Sequence, residues 1–405
     1  MIPRALRARP LLPFFPALLL FIALWPVARP IEGSGDTFQF WYAGHLVATG
    51  ASPYDQDAWH AAGAYGPIAA SVARNCADPD ALLCVWAYPP LTAWLFAPFG
   101  ALPATVGLLA INTFVVVILI AGLVAAVLVF GPREPGPRAL VLAAAVTGNP
   151  FVIDIRSGHF VGLMLLALVA IVYGLREKWT WLVASGAVVL ALKPHVAIVV
   201  AVAVPAVLAG RRAWRAIASV AVTVAIVAGV ALLRSPEALG AIIGRGGAKA
   251  GIAWMTTWFF AESTGVPIVA LVVMAIAAFG AAVLAIRSAR DDRRDLTIVA
   301  VAACLSLVVT PYVQPYDFLL TIPAFAAAAA AASALRVPAR TALLAFIALC
   351  SGVGTWAPIL FGDVAGVAPS YAVMPVAALV LLAVALRAAA GTVKSARPAV
   401  VPGPA

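Results

Sequence analysis

Residues 33–55 read GSGDTFQFWYAGHLVATGASPYD: a carboxylate at Asp36, then an aromatic run through Phe38, Phe40, Trp41 and Tyr42, then a turn-forming Ser52-Pro53. The stretch follows an apolar segment at about 11–28 and precedes a long series of further apolar segments. An acidic group set just beyond a first membrane segment suits chemistry on something the membrane presents. A plain pore or scaffold has no use for it.

Outward from that stretch, the 405-residue chain is 64% hydrophobic and 10% charged, so hydrocarbon must be its main solvent. Apolar segments fall at about 11–28, 104–130, 139–155, 159–175, 180–192, 195–210, 213–233, 266–286, 296–311, 316–334, 341–360 and 370–388. This predicts an all-α polytopic membrane protein with about twelve helices, carried by a single transmembrane domain over 1–390. The segments 180–192 and 195–210 fall short of the roughly 20 residues a perpendicular span needs, so they are expected to be tilted, broken or partly inserted. The Pro-rich tail over 391–405 reads as disordered and cytoplasmic.

Charge orients the chain, because cytoplasmic loops carry the excess of Lys and Arg. With both termini inside, only Arg29, Arg74, Arg156, Lys193, Arg234, Arg245 and Lys249 of the 26 basic residues lie outside. Asp36, Asp55, Asp57, Asp78, Asp80, Asp154, Glu237, Glu262, Asp317 and Asp363 all lie outside as well. The net charge of +10 therefore reports topology and contact with anionic membrane lipids, and calls for no nucleic-acid partner. The basic, apolar N-terminus lacks a small-x-small cleavage site and reads as a retained signal anchor. Cys76 and Cys84 sit in an outer loop that permits a disulfide without requiring one, whereas Cys304 and Cys350 lie in apolar segments as packing residues.

The outer face carries the two long connections, 29–103 and 234–265. Within the first, WAYPPLTAWLFAPFGALP is apolar but too short between Pro90 and Pro103 to span. It reads as an interfacial or re-entrant helix, with Trp86, Tyr88 and Trp94 suited to the headgroup layer.

Four clusters on the outer side hold the residues that can carry chemistry: Asp36 with its aromatics; Asp154, Arg156 and His159 in FVIDIRSGHF; Lys193-Pro194-His195 at a break in the apolar pattern; and Asp317 in TPYVQPYD. Asp36 has two readings, a helix cap after Gly33-Ser34-Gly35 or a base that takes a proton from a hydroxyl nucleophile. Asp55 is a turn residue or a weaker second base. Lys193 either snorkels or binds an anionic phosphate, and Arg156 either pairs with Asp154 or does the same. His159 and His195 either assist the cations or satisfy backbone carbonyls. Asp317 reads as an N-cap that could also face a cavity. Arg245 and Lys249 in GRGGAKAG could touch phosphate, but no strand precedes them and the spacing is not that of a P-loop. No metal-ligand cluster and no cofactor fingerprint stands out; carboxylates in the outer loops leave room for a divalent cation without requiring one.

The order of GSGDTFQFWYAGHLVATGASPYD, WAYPPLTAWLFAPFGALP, NPFVIDIRSGHFVGLMLLALVA, WTWLVASGAVVLALKPHVAIVV with GRRAWR, and TPYVQPYDFLLTIP resembles glycosyltransferase family 87, over about residues 30–335. The resemblance implies a GT-C type membrane hexosyltransferase that draws a sugar, often mannose, from a polyprenyl-phosphate carrier. The acceptor would be a hydroxyl of a lipid or glycan on the periplasmic face of a bacterial inner membrane. It implies Asp36 as the general base of an inverting displacement, with Lys193, Arg156, His159 and His195 holding the phosphate of the donor and Asp55, Asp317 and Arg245 in secondary places. Two departures stand out: Gly158-His159 where members commonly carry Gly-Gln, and Gln314-Pro315-Tyr316-Asp317 where many have a His-rich string. Two rival readings are a flippase or transporter of a lipid-linked saccharide, which would place paired charges deep in the bilayer, and a non-catalytic assembly partner indifferent to Asp36.

Overall fold

The computed structural model describes residues 15–28, 35–65, 86, 88–240, 266, 268–289, 291, 294–311, 313–357 and 373–395. Every regular element among them is a helix. In chain order these are α1 (Phe15–Ala28), α2 (Gly35–Ala48), α3 (Gln56–Ala61), α4 (Pro90–Gly100), α5 (Ala104–Phe130), α6 (Pro135–Thr147), α7 (Asn149–Ser157) and α8 (Val161–Glu177). There follow α9 (Thr180–Leu190), α10 (Ile198–Gly210), α11 (Trp214–Arg234), α12 (Ile268–Ser288), α13 (Asp295–Val309), α14 (Ile322–Ala332), α15 (Val337–Ser351) and α16 (Val373–Ser395).

A helix lies at each of the twelve apolar segments, yet far fewer are long and apolar enough to cross a membrane unaided. Among the described residues six pass, within 104–130, 214–234, 268–288, 315–332, 337–356 and 373–390, and α6 with α7 makes a seventh if that bent pair is one span. The pair bends by 53° because Gly148 adopts an extended conformation and Pro150 brings no backbone N–H to the helix. The Thr355 hydroxyl accepts from the Asn149 N–H at 2.7 Å, so the break leaves that donor satisfied. As expected from its length, 180–192 holds only an 11-residue helix, and a 3₁₀ turn at Pro194–Ala197 precedes α10.

The helices sort by composition into inner and outer positions. α14, nearly all alanine, has Ala324, Ala326, Ala328, Ala329 and Ala332 fully buried and packs against α5, α15 and α16. Its small side chains let neighbouring backbones close in, so the Ala-rich stretch serves packing within one chain. α11 is the opposite case, with Ala231 its one buried residue and Val222, Ile226 and Leu233 exposed, as a lipid-facing helix requires.

The aromatic segment after α1 packs across α4, which at 11 residues is too short to span. Gly44 and Gly100 allow the contact: a Cβ on Gly44 would lie 2.3 Å from the Phe96 carbonyl oxygen, and one on Gly100 would lie 2.1 Å from the His45 nitrogen. Phe40, buried by this contact, stacks on Phe96 at 4.7 Å and meets Trp86 edge-on at 6.0 Å. Trp86 is therefore a core residue here and not the headgroup anchor its sequence context suggested. α16 runs on to Ser395. Cys76, Cys84, Arg245 and Lys249 lie outside the described residues, while Cys304 is buried and free.

Candidate functional site

Asp36 occupies the first turn of α2, where the helix dipole favours a carboxylate, and its side chain is 39% exposed. Its neighbour Thr37 anchors that turn, with its hydroxyl 3.2 Å from both Asn112 Oδ1 on α5 and the Ser157 carbonyl on α7. The anchor depends on Gly158, whose φ of +75° puts the chain in the left-handed region and whose missing Cβ would stand 2.0 Å from Thr37 Oγ1.

That glycine turn delivers His159 into the protein interior, 1% exposed. Its imidazole stacks on Tyr316 with centroids 3.7 Å apart, meets Phe40 edge-on at 5.2 Å, and places Nε2 3.3 Å from the Tyr88 hydroxyl and 3.6 Å from Asp36 Oδ2. Burial, then the charges of Lys193 and His195, push the His159 pKa well below the ordinary imidazole value. The ring is therefore neutral, and the tautomer with a proton on Nε2 turns a donor toward the Asp36 carboxylate.

Beneath this layer, Lys193 Nζ lies 4.5 Å from the Tyr316 ring centre and donates to Asp317 Oδ1 at 2.5 Å, with both charges buried. Asp317 Oδ2 accepts the Gln314 N–H at 3.0 Å, and Gln314 returns the bond to complete a capping box at the head of a 3₁₀ turn over Pro315–Thr321. Asp154 is also fully buried, near enough to feel the charges of Lys193 and Asp317. One ammonium thus sits near two buried aspartates and pairs with Asp317.

These contacts separate the predicted residues. Asp36, His159, Lys193 and Asp317 are linked through Tyr316, with Asp154 buried nearby. His195 is half-buried, and its charge reaches His159. Arg156 is half-buried on α7 and forms no pair with Asp154, because residues two apart on a helix point to opposite sides. Lys193 spends its charge on Asp317 rather than standing open. Asp55 is exposed and caps α3 by accepting the Asp57 N–H at 2.9 Å, as its turn reading anticipated. Tyr88 and Tyr316 are the residues the sequence reading missed. Tyr88 carries the sequence context of a headgroup anchor, and nothing in the one-dimensional pattern says that positions 88, 159 and 316 meet. Among the described residues no group of three or more His, Cys, Asp or Glu side chains is arranged to hold a metal ion.

The model of glycosyltransferase family 87 matches residues 86–311, more than half of the chain. The matched region holds Tyr88, Asp154, Arg156, His159, Lys193 and His195, while Asp36, Tyr316 and Asp317 flank it. No curated protein and no solved structure matches the chain. With its apolar helices and a buried polar site at their ends, the chain belongs to glycosyltransferase family 87, a family of membrane glycosyltransferases.

Proposed function

We propose that the protein transfers a hexose, mannose being the first candidate, from a polyprenyl-phosphate carrier to a hydroxyl of a lipid or glycan acceptor. We assign the work to the periplasmic face of the inner membrane, within one catalytic domain over 1–390. The observation that carries the reading is the half-open Asp36 carboxylate 3.6 Å from a neutral, buried His159. A base must be reachable by an incoming hydroxyl, and Asp36, 39% exposed beside the imidazole, meets that condition.

In this reading Asp36 takes the proton of the acceptor hydroxyl as the oxygen attacks the anomeric carbon. The bond from that carbon to the phosphate oxygen breaks, its electron pair leaves with the polyprenyl phosphate, and the configuration inverts. Arg156 and His195 receive the phosphate at the edge of the site. Lys193, held by Asp317, contributes field from below in a medium of low dielectric. His159, fixed between Tyr316 and Phe40, orients the base. The buried Lys193–Asp317 pair also meets the demand of the transporter reading, but family membership and the accessible Asp36 favour transfer.

Membranes carrying Asp36→Asn, supplied with labelled polyprenyl-phosphate sugars and crude acceptors, should transfer roughly 10²–10⁴-fold more slowly than wild type at equal protein level. Undiminished transfer by the variant would remove Asp36 from the chemistry. Absence of transfer by wild type with every donor, together with sugar-lipid movement across vesicles, would favour transport.

A further inference from the structure

A cavity of about 560 Å³ opens at the opposite end of α8 from His159. α8 spans 17 residues, so the two sites stand roughly 25 Å apart along it. Lys178, Arg211 and Arg215 line the cavity together with Thr180. Arg211 is structural: it chelates the buried Asp295 carboxylate with two 2.8 Å bonds and donates to the carbonyls of Leu175 and Ala289. Lys178 and Arg215 are exposed and form no salt bridge with a described residue.

Backbone and surroundings point the same way. Lys178 and Arg212 are the non-glycine residues with positive φ in the described chain, at 59° and 57°. Lys178 ends α8 at the lining, and Arg212 sits between the lining residues Arg211 and Ala213. Such backbone is uncommon for side chains of this size, and it collects here at one cavity. Next in the chain to lining residues, Trp179, Trp181 and Trp214 are 51%, 63% and 63% exposed, the amphipathic rings expected at headgroup depth. Two exposed cations with no salt bridge to a described residue, a hydroxyl donor and neighbouring exposed indoles match a phosphate carried on a lipid.

We propose that this cavity holds the phosphodiester headgroup of an anionic phospholipid, with Lys178 and Arg215 as its cationic ligands and the tryptophans against its glycerol and acyl region. Basic pockets between membrane helices are suited to such headgroups. The site is distinct from the one that carries Asp36 and does not depend on the reaction proposed there.

Native mass spectrometry of the detergent-purified full chain tests this directly, with phosphatidylglycerol, phosphatidylcholine and inorganic phosphate titrated separately. One phosphatidylglycerol should bind saturably and survive mild activation, and phosphatidylcholine should not. The double variant K178Q/R215Q should bind it about 25-fold more weakly, roughly five-fold per cation, while K178R/R215K keeps most of the affinity. Equal retention of both lipids, or unchanged binding by K178Q/R215Q, would overturn the proposal. So would displacement of the lipid by millimolar inorganic phosphate, which would make the site one for a soluble anion.

Discussion

Lys193 is the residue with most at stake, because its ammonium balances the buried Asp317 carboxylate. Replacing it by Met leaves the buried Asp317 carboxylate uncompensated, a loss of about 3–5 kcal/mol. Removing Asp317 as well, in K193M/D317L, should restore much of that. Thermal unfolding in detergent of the single and double variants checks both statements, and a double variant no more stable than the single one would contradict the pairing. His159 makes a pH prediction. Its folded-state pKa is depressed, so the unfolded chain binds more protons once the pH falls below the ordinary imidazole value of about 6.5. Stability is then fully present above that value and declines below it. The slope of melting temperature against pH under 6.5 should be shallower in His159→Gln than in wild type.

Among the elements, the joint between α2, α5 and α7 decides where Asp36 stands. Gly158→Ala puts a side chain into left-handed backbone and against the Thr37 hydroxyl, and Thr37 belongs to a packed helix that cannot retreat freely. We expect a loss of about 1–3 kcal/mol in stability. Transfer activity should fall further than the folded fraction, because the displaced turn is the one that carries Asp36. Parallel measurement of detergent melting and transfer separates the two effects. The helix positions themselves were open to sequence reading, since period and hydropathy are local properties. α5 falls at 104–130 as its apolar run predicts, and α11 and α12 lie within two residues of expectation. The sharp bend at Gly148 and the shortness of α1, α8, α9, α10 and α13 depend on what the chain packs against, and they leave six or seven helices able to span by themselves among the described residues.

Across the assembled bundle, burial separates helices that composition alone treats alike. α14 and α11 are both apolar, yet α14 lies in the middle and α11 at the periphery. Ala329→Leu on α14 has no room, and overpacking should cost about 1–3 kcal/mol. Ile226→Leu on α11, exposed to lipid, should leave detergent melting unchanged within about 0.5 kcal/mol. Equal effects at the two positions would mean that the inner and outer assignment is wrong.

Class, approximate helix positions and most of the charged participants could be read from the one-dimensional pattern, because each rests on hydrophobicity and charge near a single position. Asp36, His159, Lys193 and Asp317 all stood out as ionisable groups at the edges of apolar runs. Their roles relative to one another did not, because 281 positions separate Asp36 from Asp317 and no local property encodes that approach. Folding is what sets Tyr316 between His159 and Lys193, commits Lys193 to Asp317, parts Arg156 from Asp154, and leaves Asp36 half open. Hydrophobic patterning selects which segments enter the membrane, whereas the partner of each buried charge is chosen by packing among helices far apart in the chain.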